Sequence, residues 1–223
     1  MRPFVFINSA MSADGKISTV AREQVRISGK EDLQRVDGLK AEADGVMVGV
    51  GTVLADDPKL TIKSAALKRK RVAQGRSEDP LRIVVDSNAR TPVTAAILGS
   101  NALVAVAQRA PRDRVEALNK KAEVLAVGKS KVDLAMLLTK LKNRGVNSLL
   151  VEGGATLNFA LLELGLVDEV CTYVGDIIIG GSAAPTLADG AGLTSHFINL
   201  KLKEASQLGK GVLIRWAVLG RGP

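Results

Sequence analysis

Two segments of this chain place hydroxyl and carboxylate groups directly after apolar runs. The first is Val48-Gly49-Val50-Gly51-Thr52-Val53-Leu54-Ala55-Asp56-Asp57-Pro58-Lys59-Leu60-Thr61, and the second is Leu149-Leu150-Val151-Glu152-Gly153-Gly154-Ala155-Thr156. Each reads as a buried strand that exits into small residues and then polar ones. Open α/β sheets bind ligands in the crevice beyond such strand ends. Two exits of this kind predict one ligand lying across both. Gly153 and Gly154 let backbone approach a ligand closely, and the helix-like segment after them offers free N–H groups to a phosphate. A tight strand-to-helix turn would explain the same pair. Glu152 suits sugar hydroxyls or an amino-substituted ring, and would equally serve a structural salt bridge. Thr52 could cap a turn or bond a ligand. Asp56 and Asp57 could be turn formers before Pro58. Arg26, Lys40 and Lys63 could be surface charges or could hold a substrate phosphate.

Other chemistries find no support. The chain has one histidine, His196, and one cysteine, Cys171. A Ser–His–Asp or Cys–His system and a Cys/His zinc site therefore lack partners, and no metal is expected. Cys171, among Val170, Thr172, Tyr173 and Val174, reads as a buried strand thiol, and His196 as a loop or surface residue. No Walker sequence occurs. Gly49-Val50-Gly51-Thr52-Val53-Leu54 begins like a dinucleotide fingerprint but has Leu54 where a third glycine belongs.

Composition bounds the answer further. At 223 residues and 46% apolar content the chain can bury a sizeable core. We expect a single domain over 1–223, a cytoplasmic location, no membrane span and no secretory leader, since the apolar run Phe4 to Ile7 is too short for one. The net charge of +8 suits nucleic acid or a phosphorylated small molecule, but aromatics at 3% leave few stacking platforms. The dense cluster Lys68-Arg69-Lys70-Arg71 reads as a solvated or mobile loop.

The elements that would position these groups follow from periodicity. Strands are expected at 4–8, 45–50, 81–85, 102–107, 124–127 and 148–151. Helices are expected at about 30–43, 112–121, 132–143 and 155–164. Ser28 and Glu31 have the spacing of a capping box. The 132–143 helix should bury Leu134, Leu137, Leu138 and Leu141. The tail changes character: 168–174, 200–207 and 212–218 read as strands, the last two joined at Gly209-Lys210-Gly211 as a hairpin. The expected fold is α/β, a mostly parallel central sheet flanked by helices with an antiparallel C-terminal hairpin.

The two exits, with Ser12-Ala13-Asp14-Gly15-Lys16-Ile17 and Arg82-Ile83-Val84-Val85-Asp86-Ser87, resemble the riboflavin-biosynthesis reductases, and the stand-alone archaeal type among them. The motifs occur in the family's order and span most of the chain. Bacterial relatives carry this reductase behind a zinc deaminase domain, of which no motif is seen here. The resemblance implies a dihydrofolate-reductase-like fold, NADPH as cofactor, a homodimer and a phosphorylated pyrimidine substrate. It implies reduction of the substrate's ribosyl group to ribityl, with hydride reaching C1′ through an opened imine. Carried over by motif, Thr52 and Asp56 lie where nicotinamide and substrate meet. Gly153, Gly154, Ala155 and Thr156 hold the pyrophosphate. Ala89, Arg90, Thr91 and Pro92 line the adenosine side, Arg90 facing the 2′-phosphate, and Gly128 is a further cofactor contact. Glu152, Arg26, Lys40, Leu60 and Lys63 take the substrate. Asp56 and Lys16 are the candidates for catalytic groups. A pteridine or folate reductase of the same fold, and a basic nucleic-acid-binding protein, are the alternatives.

Overall fold

The structure is a computed structural model that describes residues 1–221. The chain is α/β, with mostly parallel strands and an antiparallel hairpin at its end. It divides into two compact units.

The first unit comprises Met1–Pro3 and Asp37–Leu150. Its strands are β2 (Gly45–Gly49), β3 (Leu81–Val85), β4 (Ala102–Val106), β5 (Glu123–Ala126) and most of β6 (Ser148–Val151). β3 pairs in parallel with β2 and β4, and β4 in parallel with β5, while β6 lies beside β2. Parallel neighbours need crossovers. Here α2 (Val50–Asp56) and α3 (Ala65–Ala73) follow β2, α4 (Arg112–Asn119) follows β4, and α5 (Leu134–Asn143) follows β5. Strands covered on both faces read as unbroken apolar runs rather than alternations. Val46, Met47, Val48, Leu103, Val104, Ala105 and Val106 accordingly show no accessible surface. α5 forms as its sequence predicts. Asp133 caps it by accepting the Met136 N–H at 2.9 Å, and Leu134, Leu137, Leu138 and Leu141 are buried.

The second unit comprises Phe4–Val36 and Val151 onward. β1 (Phe4–Met11) pairs in parallel with β7 (Glu169–Val174), and β7 pairs antiparallel with β9 (Gly211–Arg221). β8 (Ile198–Leu208) closes the hairpin with β9 around a two-residue turn in which Gly209 has φ +59°. α6 (Ala155–Glu163) belongs here, and α1 (Lys30–Glu42) begins here and ends in the first unit. Cys171 is buried on β7, where burial pushes its thiol pKa up, and His196 is exposed.

Four expectations need correction. Residues after Gly49 do not remain extended but form α2 at once. The basic cluster is not a loop. It lies on α3, capped by Ser64. Two of its cations are engaged: Lys68 pairs with Asp79 at 3.1 Å, and Arg71 is buried, donating to the Ala41 and Ala43 carbonyls at 2.8 Å each. The capping box at Ser28 does not form, because the Ser28 hydroxyl donates to Asp32, which also binds Arg35. β1 runs on past Asn8 to Met11.

Candidate functional site

The parallel strands of the first unit end on a common edge, and the segments that carry Thr52 and Asp56, Ala89 to Pro92, and Gly128 leave the sheet there, after β2, β3 and β5. β2 gives way to α2, which carries Thr52 half-buried and Asp56 exposed near its end. No side chain caps α2, whose N-cap is Gly49. A Cβ at Gly51 would meet nothing within 4 Å, so neither packing nor φ demands glycine there. In a helix that glycine costs about 1 kcal/mol relative to alanine.

The adjacent carboxylates Asp56 and Asp57, indistinguishable in the sequence, have different roles. Asp57 is the C-cap of α2 at φ +41°, and its Oδ1 accepts the Ala96 N–H at 2.7 Å. It is a structural tie. Asp56 enters no side-chain hydrogen bond or ion pair among the described residues, and loss of water on its protein-facing side raises its pKa above the ordinary aspartate value. The sign follows directly. A carboxyl that holds its proton more tightly when folded stabilises the fold below its unfolded pKa, and that stabilisation is lost as pH rises through the folded pKa. Asp56→Asn is therefore expected to melt at a higher temperature than wild type near neutral pH. The gap should close as pH falls below the ordinary carboxylate range. Thermal melts across pH test this, and a gap that stays constant with pH would remove Asp56 as its cause.

Beyond β3, Asp86 is fully buried, and its Oδ2 accepts both the Thr91 N–H (2.6 Å) and the Thr91 hydroxyl (2.7 Å). This ties a loop in which Ala89 is buried at φ +53°, while Arg90 and Pro92 are exposed. Leu60, also buried, has φ +52°. Left-handed conformations at residues with a Cβ cost energy and concentrate at ligand-binding loops. Gly128, after β5, has φ +84°, and a Cβ there would stand 2.3 Å from the Lys131 carbonyl oxygen. Its glycine is thus explained by its backbone conformation and packing together. Lys40 and Lys63 are brought to one region by Asp37, one turn before Lys40 on α1. The Asp37 carboxylate accepts the Lys63 and Ser64 N–H groups at 2.7 and 2.8 Å.

In the second unit, β6 ends at buried Val151, and half-buried Glu152 follows. Gly153 has φ +96°, and the Gly153–Gly154 peptide bond is cis. Gly154 is the N-cap of α6, and no side chain caps that helix. α3 and α5 do have side-chain caps, Ser64 and Asp133. The first N–H groups of α6, at Ala155 and Thr156 among others, thus have no capping side chain, and an uncapped helix start is the arrangement that binds anions. Arg26 is exposed.

The sequence did not single out the segment that joins this turn to Lys16. Asp189 N–H donates to the Ala155 carbonyl (3.2 Å), and the Asn158 amide donates to the Leu187 carbonyl (2.8 Å). The same segment bridges to Lys16 through Thr186, and the Lys16 ammonium donates to the Ala184 carbonyl at 3.3 Å. Asp14 fixes the next stretch. It accepts the Ser12 hydroxyl (2.6 Å) and the Ile179 and Gly180 N–H groups (3.0 and 2.7 Å), which together lower its pKa to about 2. The Asp14-Gly15-Lys16 turn is therefore a clamp, and the Lys16 ammonium is part of it.

Among the described residues, no helix is long and apolar enough to cross a membrane, and no group of His, Cys, Asp and Glu could hold a metal ion.

Known proteins resemble this chain over nearly its whole length. The protein is 49% identical over 216 residues to 2,5-diamino-6-ribosylamino-4(3H)-pyrimidinone 5′-phosphate reductase of Archaeoglobus fulgidus, covering 96% of this chain and 97% of that one. It is 44% identical to the protein of the same name from Methanothermobacter thermautotrophicus, covering 99% and 100%. The solved structure of Acinetobacter baumannii RibD matches with a TM-score of 0.79 at 26% identity, covering 97% of this chain and 58% of that one. The family model described as the RibD C-terminal domain matches residues 3–214, and the chain belongs to that family.

Proposed function

We propose that this protein is an NADPH-dependent reductase acting on 2,5-diamino-6-ribosylamino-4(3H)-pyrimidinone 5′-phosphate, converting its ribosyl group to ribityl in riboflavin biosynthesis. The observation that carries the reading is the near-full-length similarity to two archaeal reductases of that name. Residues 1–223 act as one reductase, in the cytoplasm and as a homodimer.

The residues present fit a dinucleotide. NADPH supplies the hydride that reduces C1′. The uncapped α6 N-terminus after Gly153 and Gly154 takes the pyrophosphate with Ala155 and Thr156. Ala89, Arg90, Thr91 and Pro92 take the adenosine side. Thr52 and Asp56 lie toward the reacting groups, and the open space over Gly51 supports close approach there. Asp56, which has no side-chain partner among the described residues, is the group that gives a proton to the ribose ring oxygen as the sugar opens. Lys16, held to the Ala184 carbonyl, acts by keeping its turn in place. Glu152 binds substrate hydroxyls or the ring amine. Lys40 and Lys63, gathered by Asp37, meet the substrate phosphate, and Leu60 lines the substrate. Arg26 is a further substrate contact.

The deciding experiment follows NADPH oxidation with the diamino substrate and its deaminated counterpart in parallel. Faster turnover of the diamino compound supports the proposal. A preference for the deaminated one would keep the chemistry but reverse the pathway order, and turnover of neither would sink it. Arg90→Ala should narrow the preference for NADPH over NADH by about tenfold, the scale of one charge-assisted contact. Titration of both nucleotides checks this, and an unchanged preference would assign the 2′-phosphate to another residue.

A further inference from the structure

The strand ends of the first unit carry more positive charge than Arg90 alone. β3, β4 and β5 lie side by side in parallel register, with Val85 opposite Ala105 and Val106 opposite Ala126. Their exits remain zipped beyond the sheet. Ala107 N–H donates to the Ser87 carbonyl (3.2 Å), Gln108 N–H to the Gly128 carbonyl (2.9 Å) and Arg109 N–H to the Lys129 carbonyl (3.2 Å). The Ser87 hydroxyl accepts the Val132 N–H (3.0 Å), and Arg114 donates to the Ala89 carbonyl (3.4 Å). Arg90, Arg109 and Lys129 therefore stand on three consecutive, mutually bonded loops, and each is exposed.

These cations are not consumed by the fold. None of them enters an ion pair among the described residues, whereas Lys68, Arg76 and Arg144 each do. The acids on the same edge are mostly spent. Asp86 is buried and bonded to Thr91, and Asp133 caps α5. Asp113, exposed on the first turn of α4, remains without a partner among the described residues. One exposed arginine binds a phosphate weakly in water. Several cations on a preorganised frame focus the field on a single spot and pay less ordering entropy.

We propose that Arg109 and Lys129 are specificity-determining residues that join Arg90 in selecting a dinucleotide phosphorylated at the 2′ position. This inference rests on the reading of the β3 exit as the adenosine side of the cofactor site. Its function is discrimination: the three cations add affinity for the 2′-phosphorylated nucleotide and none for its unphosphorylated counterpart.

The test titrates wild type, Arg90→Ala, Arg109→Ala, Lys129→Ala and the Arg109→Ala/Lys129→Ala double variant with NADPH, NADH, 2′,5′-ADP and 5′-AMP. Lys121→Ala serves as the charge control, because Lys121 lies at the opposite, amino-terminal end of β5. Each single variant at 109 or 129 should weaken NADPH and 2′,5′-ADP about fivefold, and the double variant about twentyfold, with NADH and 5′-AMP within about twofold. If Arg90→Ala loses the preference while the 109 and 129 variants keep it, the proposal fails and the reading of Arg90 stands. If none of them changes the preference, both fail. An equal loss in Lys121→Ala would make the effect one of net charge and overturn the proposal.

Discussion

Gly154→Val is expected to weaken NADPH binding by more than about a hundredfold while leaving a folded protein. Gly154 sits at φ −77° and ψ −176°, an extended conformation that residues with a Cβ adopt freely. Its neighbour differs. Gly153 at φ +96° needs glycine for its own backbone, so Gly153→Ala should cost about 1–2 kcal/mol of stability whether or not a ligand binds. At 154 the added bulk instead occupies the approach to the first N–H groups of α6. Each hydrogen bond from such a group to a charged phosphate is worth about 1.5–3 kcal/mol, so losing two accounts for the expected factor. Titration of NADPH alongside thermal melts separates the two variants. Normal NADPH affinity in Gly154→Val would place the pyrophosphate elsewhere.

That contrast shows where the sequence was readable. Gly153-Gly154 after an apolar strand was visible as a turn, and so were the buried strands, because burial on both faces leaves an uninterrupted Val/Leu/Ile run. α5 was visible because its leucines recur at helical spacing, while its start was not, since Asp133 shows itself as the cap only in the structure. α2 was not. Its start, Val50-Gly51-Thr52, combines β-branched residues with glycine, all poor helix formers, and the helix is imposed by what surrounds it. α3 was missed for a different reason. It has little apolar stripe, and its cations meet Asp79 and the carbonyls of Ala41 and Ala43, partners remote in sequence.

The same limit applies to the acids. Asp14 and Asp37 bond backbone N–H groups 165 and 26 positions away. Nothing local marks them as anchors of the loops that carry Lys16 and Lys63. Asp86 acts only five residues on, at Thr91, so the Asp86-to-Thr91 spacing was a readable signal for a tied loop. Asp56 and Asp57 show the limit most sharply. Two identical adjacent side chains divide into a tie and a perturbed acid only once Ala96 is seen to be near one of them.

Glu152→Gln should lower turnover roughly a hundredfold and change NADPH affinity by less than about threefold. Glu152 leaves β6 between fully buried Val151 and buried Gly153, so its side chain is half-sheltered and its backbone has little freedom to move. Glutamine keeps the shape and one acceptor oxygen, but it loses the charge and presents a donor where the carboxylate presents acceptors. A sugar hydroxyl or ring amine donating to a carboxylate gains about twice what it gains from a neutral amide. Any positive charge that develops on the sugar as it opens is stabilised only by the charged form. The loss should therefore fall on kcat and kcat/KM with substrate, not on the cofactor. Steady-state kinetics with saturating NADPH, beside direct titration of NADPH, tests this. Unchanged turnover would remove Glu152 from the substrate site. A parallel fall in NADPH affinity would make it a support of the Gly153–Gly154 turn instead.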